Sequence, residues 1–303
     1  MAIAKQAARH AAVWGVAVVA GLWAAISSGA VWAAAGRPTN WGMGLQDAAS
    51  PTAQAIHDLH NILLWFITLI TLFVLGLLVY VVIRFNAKSN PTPSRTTHNT
   101  VIEVLWTGIP VLLLVLLAIP SFKLLYFADS IEDADLTIKA TGRQWYWSYE
   151  VPEQEYKGQK IGGFEFESRI KPPSELGPDD IRQLSVDVPL NLPVSAKVRV
   201  LVTAAADGVL HNFAMPSLGL KLDAVPGRLN ETWTLINPEY EGTRFFGQCS
   251  ELCGKDHAYM PIEIRAVDDA KFLEWAAKAK AEYAEVDDTP AKPAATRLAA
   301  VSN

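Results

Sequence analysis

Cysteine is almost absent: 303 residues contain two, Cys249 and Cys253, beside six histidines and four methionines. One closely spaced pair cannot staple a disulfide-built scaffold, so it has to be weighed as metal or redox chemistry. Cations are also short, with 26 Lys and Arg against 31 Asp and Glu and a net charge of -5. That balance argues against nucleic acid as a partner and leaves an acidic surface that can attract a basic one. No internal repeat is evident. Charge is missing altogether from two long stretches, Ile62 to Ile83 and Val104 to Phe122.

What is present is organised in blocks. Lys5, Arg9 and His10 precede an Ala/Val/Trp-rich run that ends in Ala33-Ala34-Ala35, the pattern of a secretory signal peptide over 1–35. The first uncharged stretch, as a helix, rises roughly 33 Å, enough to cross a bilayer, and predicts a transmembrane helix over 62–83 after an N-terminal segment at 36–61. The second predicts another over 104–127, with Pro110 and Pro120 tolerated where neighbouring helices re-satisfy the backbone. Arg84, Lys88 and Arg95 fall in the intervening loop at 84–103, whereas Asp129, Glu132, Asp133 and Asp135 follow the second span. The positive-inside rule puts that loop in the cytoplasm and both ends of the mature chain on the other side of the membrane.

Residues 128–283 read as a β-domain. The segments "LTIKATG", "QWYWSYEV", "QLSVDV", "AKVRVLVTA", "RLNETWTLI" and "MPIEIRAV" are rich in β-branched and aromatic residues and broken by Gly, Pro and Asn, which suggests a β-sandwich or Greek-key barrel. After Val151 the pattern lapses into a charged, Pro/Gly-rich stretch that reads as a surface excursion. An amphipathic helix is expected over Asp269–Tyr283, with Phe272, Trp275 and Ala276 on one face, and residues 284–303 have the composition of a disordered tail.

Within this domain "FGQCSELCGKDHAYMP" spaces Cys249, Cys253, His257 and Met260 as C-x3-C-x3-H-x2-M, and His211 in "DGVLHNFAMP" can add a second imidazole from a neighbouring loop. Two thiolates, two imidazoles and a thioether form a soft donor set suited to copper. Taken singly, each has a plainer explanation: a disulfide, a structural histidine, a core methionine such as Met215. Their coincidence is the signal. Glu103, opening the second span, is by itself a helix-dipole partner, with His98 nearby.

The runs "HNFAMPSLGLKLDAVPGRLNETW" and "FGQCSELCGKDHAYMPIEI", with "GRQWYWSYE" and "VIEVLWTGIP", resemble subunit II of bacterial cytochrome c oxidase from about Leu45 to Trp275. The excursion after Val151 falls outside that resemblance, and Gly208 departs from the family pattern. The resemblance implies a two-helix membrane hairpin followed by an all-β cupredoxin-like Greek-key sandwich. It assigns a dinuclear copper A centre to His211, Cys249, Cys253, His257, Met260 and the Glu251 carbonyl, and a magnesium ion shared with subunit I to the Glu251 side chain. It makes Trp145 the exposed point where electrons arrive from cytochrome c, and Glu103 the mouth of a proton pathway. The implied partners are subunits I and III, cytochrome c and membrane lipid. The implied function is relay of electrons from cytochrome c to haem in subunit I, where oxygen is reduced and protons are pumped. Acidic residues such as Glu150, Glu153, Glu155 and Asp207 are expected to steer a basic donor. A quinol-oxidase subunit lacks these ligands, nitrous oxide reductase carries a further large domain, and a non-redox β-domain with a Cys249–Cys253 disulfide holds no copper.

Overall fold

The computed structural model describes residues 36–129 and 133–284, so the expected signal peptide and the expected tail from 285 onward lie outside the described residues. Two helices, α1 (Pro51–Arg84) and α2 (Thr100–Asp129), are long and apolar enough to cross a membrane. Their apolar side chains face outward on every side, an arrangement that is stable only in lipid or against other membrane helices. Both helices overrun the uncharged stretches. α1 starts at Pro51 because Ser50 caps it: the Ser50 hydroxyl accepts from the Ala53 amide at 3.0 Å and donates to the Leu218 carbonyl at 2.8 Å. α2 starts early because Asn99 and Glu103 cap it reciprocally, Asn99 Oδ1 accepting from the Ile102 amide at 3.2 Å and Glu103 Oε1 from the Asn99 amide at 3.3 Å.

The β-domain contains twelve strands: β1 (Leu136–Arg143), β2 (Tyr146–Val151), β3 (Gln154–Tyr156), β4 (Gln159–Ile161), β5 (Phe164–Ser168), β6 (Leu190–Pro193), β7 (Val198–Ala204), β8 (His211–Met215), β9 (Leu220–Ala224), β10 (Asn230–Thr234), β11 (Arg244–Cys249) and β12 (Pro261–Val267). One sheet runs β10-β7-β1-β2-β5 and the other β6-β12-β11-β8-β9, with β1–β7 and β6–β12 parallel and the other pairs antiparallel. Alternate residues of β1 and β7 point inward, and Leu136, Ile138, Val198, Val200 and Val202 are buried with Trp147, Tyr149, Phe213, Phe245 and Ile264 between the sheets. Each such aliphatic or aromatic side chain contributes roughly 2–3 kcal/mol of burial.

Two sequence expectations are corrected here. The stretch after Val151 is not a surface excursion: β3 and β4 form a hairpin, and β5 is the edge strand of the first sheet, with Phe164 and Phe166 buried against α3 (Asp269–Tyr283) through Trp275. The "FEFES" alternation is only five residues long, too short between Gly163 and Arg169 to read as a strand on its own. Conversely "QLSVDV" forms no strand, and its Val186 makes only an isolated bridge to Ile170.

The segment around it is held by ions instead. Asp180 accepts from Lys171 at 2.8 Å and Arg244 at 2.7 Å, and the fully buried Glu263 accepts from Arg244 at 2.9 Å, Arg265 at 3.1 Å and the Val186 amide at 3.1 Å. Lys171 first and Arg244 next hold the Asp180 carboxyl well below its usual range. Because that value is depressed in the fold, its contribution is present above the unfolded carboxylate value of about 3.9 and is lost as the pH falls below it. Asp180→Asn is therefore expected to cost about 3 kcal/mol near neutral pH, a difference from wild type that shrinks as the solution is taken below about pH 4. Denaturant unfolding followed at several pH values checks this; an equal difference at pH 7 and pH 3 excludes it.

The outer ends of the membrane helices are tied to the β-domain. The Ala49 amide donates to the Ser217 carbonyl at 2.8 Å, and Asn237 donates to Ala49 at 2.9 Å. Gly219 has φ +66°, and a Cβ there would lie 2.7 Å from the Ala53 amide nitrogen, so only glycine lets α1 approach. At the end of α2, Trp233 Nε1 donates to the Phe127 carbonyl at 2.8 Å.

Candidate metal centre

The chemistry-bearing loop spans residues 250–260 between β11 and β12. It is closed at its base by the Cys249 amide donating to the Met260 carbonyl at 3.0 Å, and tied to β8 by the Ser250 amide donating to the Asn212 carbonyl at 3.1 Å. β8 lies beside β11 in antiparallel register, with Cys249 opposite Phe213, and this delivers His211 to the loop. His211 opens a strand instead of sitting on a loop, and it is fully buried.

Four of the expected ligands converge. The Cys249 and Cys253 sulfurs are 3.8 Å apart; His211 Nδ1 lies 3.8 Å from Cys249 Sγ, and His257 Nδ1 lies 3.5 Å from Cys253 Sγ. A disulfide requires about 2.05 Å, so these are two separate thiols, and sulfurs at this spacing can share a metal ion at thiolate bond lengths of about 2.3 Å. The donor atoms of His211, Cys249 and Cys253 all lie within 4.8 Å of one another. The Glu251 carbonyl faces Cys249 Sγ at 3.3 Å while its residue is exposed, and Met260 is buried beneath the loop. Met215 is in the core, packed near Gly247.

The electrostatics suit a soft cation. Burial first and Cys249 second push the Cys253 thiol up to about 12, so a metal has to displace a proton that water alone leaves in place. Burial, and then His257, lower the pKa of His211, keeping its imidazole neutral with a lone pair to give. Space is equally constrained: a Cβ on Gly142 of β1 would come within 2.8 Å of the His211 ring. The Trp147 ring packs edgewise on His211 with centroids 6.1 Å apart.

Trp145 is in the turn between β1 and β2, not within a strand, and is only partly exposed. Its Nε1–H donates to the Cys253 carbonyl at 3.0 Å, which joins the aromatic ring to the backbone of a candidate ligand residue. Trp147, by contrast, is fully buried. Glu103 lies at the far end of α2, as part of its cap. The acidic residues expected to steer a donor are partly consumed: Glu150 pairs with Lys139 at 2.7 Å and Glu153 with Lys280 at 3.6 Å, whereas Asp207 and Glu155 are exposed with no ion-pair partner among the described residues. Residues that sequence reasoning passed over are Gly142, whose glycine in "TGRQW" was the available signal, Asn212, adjacent to His211, and Lys255, whose ammonium lies 5.4 Å from the Trp145 ring centroid.

Comparison with known proteins agrees with this architecture. The family model for the periplasmic domain of cytochrome c oxidase subunit II matches residues 136–267, across the stretch after Val151 that was set outside the resemblance, and the model for the transmembrane domain matches 38–124. A probable cytochrome c oxidase subunit 2 from Rickettsia bellii is 47% identical over 80% of this chain and 86% of its own length. The Zea mays cytochrome c oxidase subunit 2 is 44% identical over 78% of this chain and 88% of its own length. The crystal structure of the periplasmic domain of subunit II of cytochrome oxidase from Bradyrhizobium japonicum, 49% identical, overlaps 51% of this chain and 100% of its own with a TM-score of 0.43.

Proposed function

The chain belongs to the cytochrome c oxidase subunit II family, which makes it a membrane-anchored subunit of a haem-copper oxidase complex, and from that premise we propose that its β-domain relays electrons through a dinuclear copper centre. One observation carries the reading: two free thiols 3.8 Å apart, with His211 Nδ1 3.8 Å from the one and His257 Nδ1 3.5 Å from the other. Cys249, Cys253, His211 and His257 would hold the copper pair, and Met260 and the Glu251 carbonyl would complete the set. Two copper ions sharing two thiolates spread one electron over both, so that bond lengths change little between redox states.

The protein's own part is to keep the ligands still and dry. Strand register fixes His211, the amide bonds to Met260 and Asn212 fix the loop, and near-complete burial of both sulfurs excludes water. In this reading cytochrome c delivers electrons at Trp145, and they leave toward haem in subunit I, where oxygen is reduced and protons are pumped. The exposed Glu251 carboxylate would hold magnesium at the boundary with subunit I, and Glu103 would open a proton pathway on the cytoplasmic side. Subunits I and III would cover the exposed flanks of α1 and α2 in a bacterial inner membrane, with the β-domain in the periplasm and 1–35 acting as signal peptide.

The test is copper content and electron paramagnetic resonance on the purified full chain, reduced and then loaded with copper. Two coppers per chain sharing one unpaired electron is the expected result. A metal-free chain with Cys249 and Cys253 joined as a disulfide would replace the relay with a non-redox assembly role.

A further inference from the structure

The surroundings of Trp145 carry charges of both signs. Gly254, at φ +119°, presses the ligand loop flat on the indole; a Cβ there would lie 3.0 Å from Trp145 Cζ2. The next residue, Lys255, is thereby carried over the ring, with its ammonium 5.4 Å from the centroid and its side chain 76% exposed. Asp256 is 3.7 Å from that ammonium. On the other flank Arg143 pairs with Glu165 at 3.4 Å, and Arg169 lies 3.5 Å over the Tyr146 ring while pairing with Glu167 at 2.7 Å. Asp207, exposed and without a cationic partner among the described residues, is in a loop tied to β1 by the Ala205 amide donating to the Gly142 carbonyl at 3.0 Å.

We propose that Lys255 is a specificity-determining residue for the electron donor, selecting a c-type haem protein whose contact face is neutral or acidic over one whose face is rich in lysine. The proposal rests on the reading of Trp145 as the point where electrons arrive. A donor docking with its haem edge near the indole brings its own charges within a few ångströms of an exposed ammonium, well inside the screening length of about 10 Å at 0.1 M salt. Like charge there raises the free energy of the encounter complex and lowers the association rate, and opposite charge does the reverse. The carboxylates along β2 and β5 are each matched by a cation of their own, and Asp256, 3.7 Å from the ammonium, offsets Lys255 only in part, because an ion pair with the lysine side chain 76% exposed is weak.

The experiment uses the intact oxidase complex carrying Lys255→Glu, reduced in stopped flow by a lysine-rich mitochondrial-type cytochrome c and, separately, by an acidic bacterial-type one. At low ionic strength the variant is expected to raise the second-order rate constant for the lysine-rich donor about three- to tenfold and to lower it for the acidic donor by a similar factor. Both differences should vanish above about 0.3 M salt. Lys255→Arg should restore wild-type behaviour with both donors, and the copper spectrum should be unchanged throughout. Shifts of the same sign for both donors, or shifts that survive high salt, overturn the proposal. Trp145→Phe in the same assay separates the two claims. If it slows both donors while Lys255→Glu changes nothing, Lys255 is excluded and Trp145 stands. If it changes nothing while the opposite-signed shifts appear, Trp145 is excluded and Lys255 remains the charge that selects the donor.

Discussion

Replacing Cys249 with Ser is expected to abolish the paired copper signal and, with it, turnover of the assembled oxidase with cytochrome c. Cys249 is the hub of the site: its sulfur lies 3.8 Å from His211 Nδ1, 3.8 Å from Cys253 Sγ and 3.3 Å from the Glu251 carbonyl. A serine hydroxyl keeps the shape but offers a hard oxygen that stays protonated, and thiolate is the donor that selects Cu(I). Cys253→Ser is expected to do the same, since Cys253 is the thiol beside His257, 3.5 Å from its Nδ1. Both substitutions conserve volume, so the β-domain should keep its fold within about 1–3 kcal/mol, the usual cost of an unmatched buried polar group. Copper analysis and electron paramagnetic resonance on the folded variants check the claim, and two coppers retained in either variant would sink it.

Trp145→Phe is expected to leave copper untouched and slow electron uptake. The substitution keeps a ring over Gly254 but removes the Nε1–H that donates to the Cys253 carbonyl at 3.0 Å. If electrons cross from the indole to the ligand backbone through that bond, its loss lengthens the path at its first step. The rate of reduction by cytochrome c should fall about tenfold or more, equivalent to about 1.4 kcal/mol or more of barrier. Rapid-mixing reduction of the assembled oxidase measures this directly, and because no copper-binding atom is removed the copper spectrum serves as an internal control. A normal uptake rate in a variant with intact copper would mean that electrons arrive elsewhere.

Legibility in the sequence followed the range over which each feature is encoded. The α3 helix is read to its ends, Asp269 to Tyr283, because its cap and apolar face are local; Asp268 accepts from the Lys271 amide at 2.8 Å, and Phe272 and Ala276 are buried as the periodicity requires. The membrane helices are evident from uncharged runs, but their starts depend on Ser50 and Asn99 caps outside those runs. β5 is not legible because five residues of alternation, set between Gly163 and Arg169, are a weak signal until β2 supplies a partner. The arrangement at Trp145 was the least legible: strand alternation does not describe a residue in a turn, and its partner Cys253 is 108 positions away.

By itself the sequence determined the candidate donors, the two spans and the β character of the remainder, because residue type, hydropathy and short-range periodicity are local properties of a chain. Tertiary structure alone decided how those donors meet. His211 joins Cys249 across 38 residues only because β8 pairs with β11 in one register, and a slip by a single residue would turn the imidazole to the opposite face of the sheet. The same holds for the ammonium over Trp145 and for the ion cluster around Glu263: each is a contact between distant segments, fixed by which strands pair and in what register.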